Sequence, residues 1–432
     1  MVNNTLIQIG NGGIALNRWI RRTLLVLILC IATSGGAGYA DTNQALQAAF
    51  IRNGDLWLKL DEADELSVTK DGKATAPKWS HDGKFVAFAA GDQANDIWVY
   101  SLESKQRLHV YNGASRYEWA PDKNRLAFQT DGVLSYADVS PERVEPFKNV
   151  SSGVDNYSWL PSGTGFLASS AAQMLPTGWT NVKLYVIPAD ANMDPGKAKL
   201  LFTLPSQSRS FFAVGTSAFK WSTDGKWISF LAIPTASWSA DSNTLCALSS
   251  DGRTFRQVGE MLRYDEWFGW APGQSMLAYI EGIGRFAIEN KQVRVKEFPV
   301  IQRVPYTPKG FVDRDFTWDS DRYITVARSK ESEWVNDASL RPLPSLYRID
   351  LHRNEQKQLT SPPDHYGDFY PNDLASGKKL VWLRSDRERA DAWMSNADGT
   401  EPVKLIADID AASSYYDAWS WGSVIAWYNP RR

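Results

Sequence analysis

The chain has 432 residues, 43% of them hydrophobic and 22% charged, with 47 Lys plus Arg against 49 Asp plus Glu. That composition excludes a disordered polymer and allows a sizeable core, and the near balance of charge speaks against nucleic acid, whose binders carry a basic surplus. With 19 Trp but only 4 His and 2 Cys, a His/Cys metal centre or a CxxC redox site is hard to build, and neither a metal nor another cofactor is expected.

The first element is an export leader. Arg18, Arg21 and Arg22 precede the apolar run Leu24 to Ala32, and the small residues Ser34 to Ala40 follow. A positive region, a short apolar core and a small-residue site are the parts of a secretory signal peptide, with cleavage expected after Ala40. The alternative is an uncleaved N-terminal anchor, although an apolar core of about ten residues is short of the ~20 needed to span a bilayer. The expected organisation is a leader over 1–40, then a single domain over 41–432, exported to the periplasm, cell surface or extracellular space. Loss of the leader removes Cys30 and leaves Cys246 alone, so packing rather than a disulfide must hold the domain.

From there the chain is a repeat array. The unit is an aromatic residue, x, Trp, Ser or Ala, then a Pro/Asp/Gly/Lys turn, an alternating apolar run, and a second such run. Trp79-Ser80-His81-Asp82-Gly83-Lys84 and Trp221-Ser222-Thr223-Asp224-Gly225-Lys226 are its fullest copies. The markers fall at Trp79, Trp119, Trp159, Trp221, Trp270, Trp318, Asp373 (in place of Trp) and Trp419, 40 to 62 residues apart. That spacing suits one propeller blade of four short strands per unit, with loop insertions. Period-two runs of β-branched and aromatic residues, such as Asp96 to Tyr100 and Ser345 to Ile349, are strand chemistry, and no long segment has helical periodicity.

The two ends complete each other. Residues 48–69 hold three strand-like runs without a leading Trp motif, and Tyr415 to Asn429 supply that motif and little else. Joined, they make one blade. The expected fold is all-β: a β-propeller of eight blades, with seven as the alternative count, closed by pairing N- and C-terminal strands so that no sheet edge stays open.

The motif resembles the TolB-type, WD40-like (PD40) propeller repeat, from about Ala45 to Asn429. The resemblance implies the fold and little about activity. TolB itself carries an α/β domain, and prolyl oligopeptidase-like enzymes carry a hydrolase domain. So few residues lie between Ala40 and the first strand, or before Arg432, that a propeller alone is expected.

Within the motif, each Trp reads as a blade-packing residue and each Asp-Gly as a tight turn. Insertions near 172–182, 205–216, 234–243, 301–312 and 330–344 carry aromatic residues beyond the needs of the fold. Trp179, Trp238 and Trp334 are the binding candidates there, with self-packing of the loops as the bland alternative. Asp155, Glu266, Asp315 and Asp417, just ahead of their markers, are candidates for lining the channel. No GxSxG elbow is present, and His81, His109, His352 and His365 match no ligand spacing. The functional expectation is therefore a monomeric, non-catalytic binding propeller for a protein or envelope glycan, touching a membrane only through an uncleaved leader. The alternatives are a propeller-type lyase or hydrolase, or an accessory subunit.

Overall fold

Each repeat unit forms one four-stranded antiparallel blade, because its apolar runs alternate at the strand period and its Asp-Gly turns close adjacent strands. The computed structural model describes residues 46–429, apart from 62, 300–303 and 375–377. The leader lies outside the described residues. We number the blades 1 to 7 along the chain (75–111, 115–151, 156–203, 215–261, 268–305, 311–358 and 367–410), with strands a to d from the inside out. Blade 8 takes strands b, c and d from Gln47–Arg52, Asp55–Leu60 and Leu66–Ser67, and strand a from Ile425–Trp427. Ala48, Ala49 and Phe50 face Trp427, Ala426 and Ile425, and the Tyr428 amide adds a bond to the Gln47 carbonyl at 2.9 Å. The structure is thus an eight-bladed β-propeller closed by its own termini.

The core lies between blades. Leu134 and Tyr136 of blade 2 pack on Tyr157, Trp159 and Phe166 of blade 3, and Leu245, Leu277 and Ile324 join blades 4, 5 and 6. The marker Trp residues do more than fill this space. In four of them, though not in Trp221, the indole Nε1–H donates to a strand a carbonyl of the preceding blade: Trp119 to Lys78 at 3.0 Å, Trp159 to Glu118 at 3.1 Å, Trp270 to Lys220 at 3.0 Å and Trp318 to Gly269 at 2.9 Å. The acceptor is always the residue before that blade's own marker. Trp79 donates in the same way to Ala426, at 3.0 Å, which identifies Trp427 as the eighth marker. The sequence expectation placed it at Trp419. That residue instead ends a short hairpin, Ser414–Tyr415 with Ala418–Trp419, inserted before the closing strand.

The rest of the motif is equally local. The Ser80 hydroxyl donates to Asp82 at 2.8 Å, Asp82 accepts the Lys84 amide at 3.1 Å, and Ser80 accepts the Phe85 amide at 3.1 Å. Gly83 sits at φ +70°, where a side chain would be strained. Ser222, Asp224 and Gly225 repeat the arrangement. Burial works against the Asp224 charge, but the Ser222 hydroxyl and the Lys226 amide hold its carboxyl at about 2.

In an up-and-down blade, strand b ends where strand a began. Loops from b to c and links from d to the next a therefore open on one face. The insertions at 172–182, 205–214, 234–243, 331–344 and 411–420 all lie on that face, with the 282–291 loop. Contacts across it bear this out. The Ala172 amide bonds Val214, the Gly284 amide bonds Asp241, and the Ala287 amide bonds Tyr416.

Candidate active site

Strand a is the innermost strand of each blade, and in blades 1 and 4 to 8 the residues around its marker line two adjoining cavities of about 380 and 1020 Å³. Glu266, Tyr370, Asn372, Asp373 and Asn429 line both, so the two run together. Six carboxylates line them, Asp265, Glu266, Asp315, Asp319, Asp321 and Asp373, against the ammoniums of Lys78 and Lys220. The channel is therefore acidic in a chain whose overall charge is almost balanced.

The acid groups are held differently. Asp373 stands where the repeat has Trp, and its amide bonds the Thr317 hydroxyl of blade 6 at 3.2 Å. An indole that would fill the seam between blades is replaced by a short carboxylate on the channel wall. Glu266 lies on a short 3₁₀ turn, Asp265–Trp267, ahead of strand a of blade 5. Burial raises its carboxyl above the ordinary range, and Asp265 and Asp315 push the same way. It lies close to Gly422, where an added Cβ would come within 2.8 Å of Glu266 Oε1 and 3.5 Å of the Tyr370 hydroxyl. Burial also pushes Asp319 up to about 7, against the pull of Arg348 and a bond from Thr325, with Asp373 adding to the rise.

Lys78 and Glu118 precede their markers in blades 1 and 2. Lys78 Nζ donates to the Tyr117 carbonyl at 2.9 Å and lies 4.8 Å from that ring's centre. Surrounding protein lowers its ammonium, opposed by Glu118, Asp265 and Glu266. Glu118 keeps part of its surface open, yet desolvation pushes its carboxyl up to about 7 against the Lys78 charge. Lys220 donates to the carbonyls of Asp265 and Phe268. Carboxyls and an amine moved toward neutrality in a concave site are a functional-site signature.

Of the four acidic residues named from the sequence, Glu266 and Asp315 are among those lining these cavities. Asp315 is also a connector between blades, since its carboxylate accepts from Trp267 Nε1 at 2.9 Å and from the Tyr370 amide at 3.2 Å. Asp155 and Asp417 are not among the lining residues. The Asp155 carbonyl holds Arg116, and Asp417 is buried among arginines. Lys78, Glu118 and Lys220 are not among the residues the sequence singles out, and Asp373 stands out there only as a break in the repeat. The signal that marks them is their position at or just before the marker, and for Asp373 the break in the repeat.

The loop aromatics have different settings. Trp238 is 59% exposed, with Phe212 at 6.0 Å. Trp179 is half-buried in a short hairpin, Met174–Leu175 with Gly178–Trp179. Trp334 stacks on Phe286 at 4.8 Å, meets Tyr416 edge-on and lies under Arg341 at 3.8 Å. The four His residues lie apart: His109 against Trp98, His81 in the blade 1 turn, His352 beside Asp350 and His365 in an exposed link. Among the described residues no group of His, Cys, Asp and Glu is arranged to hold a metal ion, and no helix is long and apolar enough to cross a membrane.

No protein-family model and no curated protein matches the chain. Solved structures do. The dihydro-heme d1 dehydrogenase NirN is similar at a TM-score of 0.56 and 12% identity, over 86% of this chain and 75% of that one. A dipeptidyl peptidase 4 from Porphyromonas gingivalis is similar at 0.54 and 9%, over 83% of this chain and 57% of that one. A puromycin hydrolase is similar at 0.50 and 13%, over 79% and 54%. The match thus takes in little more than half the length of the two peptidases. At these identities the likeness establishes the propeller fold alone. It does correct the expectation of a non-catalytic binding propeller, which took the absence of a familiar catalytic motif as a sign of binding only. The three solved structures named are of enzymes, two of them hydrolases, so the lack of a familiar motif does not mark a chain of this shape as a binder only.

Proposed function

We propose that this propeller belongs to a hydrolase of peptide-like amides whose substrates carry a protonated amine, and that the acidic channel is where they bind. The observation that carries the reading is Asp373. In the one internal blade that departs from the marker Trp, the replacement is a carboxylate lining both cavities, beside Glu266 and within electrostatic reach of Asp319. A fold-only account of the repeat gives no reason for an acid there. With Glu266 holding its proton, the remaining five acid groups still outnumber the two amines and draw in a cationic group, and narrow low-dielectric walls strengthen the pull.

The chemistry asks for one carboxyl that holds a proton and one that takes one. Glu266, raised by burial, is the donor in this reading and Asp373 the base. Asp373 would take a proton from water as its oxygen adds to the amide carbon. Glu266 would give its proton to the departing nitrogen as the C–N bond breaks. Likeness to a puromycin hydrolase and a dipeptidyl peptidase supports the substrate class, and the repeat sequence supports placing the chain among TolB-type propellers, exported under the leader at 1–40.

The test is turnover of aminoacyl and dipeptidyl anilides beside their N-acetylated forms. The reading expects hydrolysis of the free-amine substrates, a loss of at least about 100-fold in Glu266→Gln and Asp373→Asn, and poor turnover of the acetylated ones. Absence of turnover on every amide, by protein that melts cooperatively, would refute it.

A further inference from the structure

On the loop face, away from the channel chemistry, three arginines converge on one carboxylate. Asp417 and Arg314 are buried, with 2% of each side chain exposed, and Arg341 and Arg387 close the shell at 11% and 13%. Arg314 comes from strand a of blade 6, Arg341 from the loop beyond strand b of that blade, and Arg387 from the corresponding turn of blade 7. Asp417 arrives on the hairpin inserted before the closing strand.

The carboxylate fills this cage loosely. Its oxygens lie 3.6 Å from Arg314 Nη1, 3.4 Å from Arg341 Nη1 and 3.7 Å from Arg387 Nη2. Elsewhere in the same protein such pairs close to ordinary lengths: 2.5 Å for Arg328 with Asp313, 2.7 Å for Arg384 with Asp368 and 2.9 Å for Arg294 with Glu281. Charge-assisted pairs belong near 2.7–2.9 Å. Asp417 Oδ2, Arg314 Nε and Arg387 Nε are all buried without a hydrogen-bond partner.

The guanidiniums are otherwise well anchored. Arg314 Nη1 donates to the Asp417 carbonyl at 3.0 Å, and its Nη2 to Ser329 and Pro342 at 3.1 and 3.2 Å. Arg341 Nε and Nη2 hold the carbonyls of Val335 and Asn336 at 2.8 Å, and Arg387 Nη2 holds that of Arg341 at 3.0 Å. The arms are fixed in place, so they cannot close on Asp417. Three guanidiniums face one carboxylate in the cage, and Asp315 beside Arg314 offsets only part of the surplus, so positive charge is left over in a desolvated place, which is costly for folding alone. Asp315, next in sequence to Arg314, spends its oxygens on Trp267 and Tyr370.

We infer that the Arg314–Arg341–Arg387 cage is a binding site for a phosphate-class dianion, with Asp417 as an internal stand-in that gives way to it. A tetrahedral oxyanion has more oxygens than a carboxylate, spread in three dimensions, and can reach all three arms at once. Its two charges balance what a single aspartate cannot, and arginine forks suit it. The hairpin that carries Asp417 is held under strain: Tyr416 and Asp417 are consecutive non-glycine residues at φ +50° and +66°. The site is separate from the proposed hydrolytic residues, so either reading can fail alone.

The experiment is a thermal melt of the whole protein with inorganic phosphate, phenyl phosphate, sulfate or sodium chloride, at matched ionic strength. We expect phosphate to raise the melting temperature of the wild type over chloride, and Arg387→Gln to abolish the rise. Asp417→Asn should bind phosphate at least about tenfold more tightly by calorimetry, since the internal competitor has gone. A response to phenyl phosphate equal to that of phosphate identifies a monoester ligand, and a response to phosphate alone identifies the free ion; both support the site. Should Asp417→Asn fail to fold, the wild type and Arg387→Gln decide the matter. Equal melting temperatures in phosphate and chloride, with no heat of binding, would overturn the proposal and leave the cage a structural ion cluster.

Discussion

Replacing Trp119 and Trp221 by Phe, one at a time, separates the two jobs assigned to the marker indoles. Trp119 is 8% exposed, packs on Phe85 at 6.1 Å and donates to Lys78 at 3.0 Å. Trp221 is half-buried in the same position of its own blade, but its Nε1 has no acceptor. Burying a Trp removes about 150–250 Å² from water, roughly 4–6 kcal/mol at ~25 cal/mol/Å². Trp119→Ala should therefore cost about 3–5 kcal/mol. Trp119→Phe keeps most of the packing and leaves the part-buried Lys78 carbonyl without its indole donor, a further cost of about 1–2 kcal/mol. Trp221→Phe has no such bond to lose. Urea unfolding followed by tryptophan fluorescence should show Trp119→Phe less stable than Trp221→Phe by about 1–2 kcal/mol, with unchanged slopes. Equal losses would refute the ring of indole bonds as a source of stability.

Other outcomes follow from the same geometry. Glu118 has a folded-state carboxyl raised to about 7, so its protonated form favours the fold, and that contribution is complete below about 4.5 and fades as pH rises through about 7. Glu118→Gln should flatten the fall of stability across that window, as read by melts from pH 4 to 8. Ala49→Asp places an unpaired charge in the dry seam opposite Ala426, where the chain ends meet, and should cost several kcal/mol or prevent closure, read by circular dichroism and size exclusion. Gly422→Ala pushes a methyl against the Glu266 carboxylate and should lower kcat/KM on amide substrates while the melting temperature shifts little.

The sequence carried the blade count and the closure, because every internal blade needs the same turn between strands a and b. Ser80, Asp82 and Gly83 form that turn by bonds spanning only two to five residues, so the motif is local and legible. The eighth marker was misplaced for the same reason. In blade 8, strands a and b come from opposite ends of the chain, so no a–b turn exists and Trp427 has no Ser-Asp-Gly-Lys after it. The Trp419-Ser420 pair imitates the motif inside the neighbouring insertion. At the site, Glu266 and Asp315 could be picked out by position ahead of a marker. Asp417 shared that position, but the arginines that surround it lie 30 to 103 residues away in sequence, where no local pattern reveals them. Asp373 was visible as a flaw in the repeat, and only the cavity lining gives that flaw a meaning.

The measurement that bears most directly on this account is kcat/KM for a free-amine anilide and its N-acetyl form, with wild type and Glu266→Gln. The wild type should prefer the free amine by at least about tenfold, and Glu266→Gln should lose most of its turnover without a lower melting temperature. Equal turnover of both substrates, or a Glu266→Gln protein as active as the wild type, would contradict the acidic channel as the seat of catalysis.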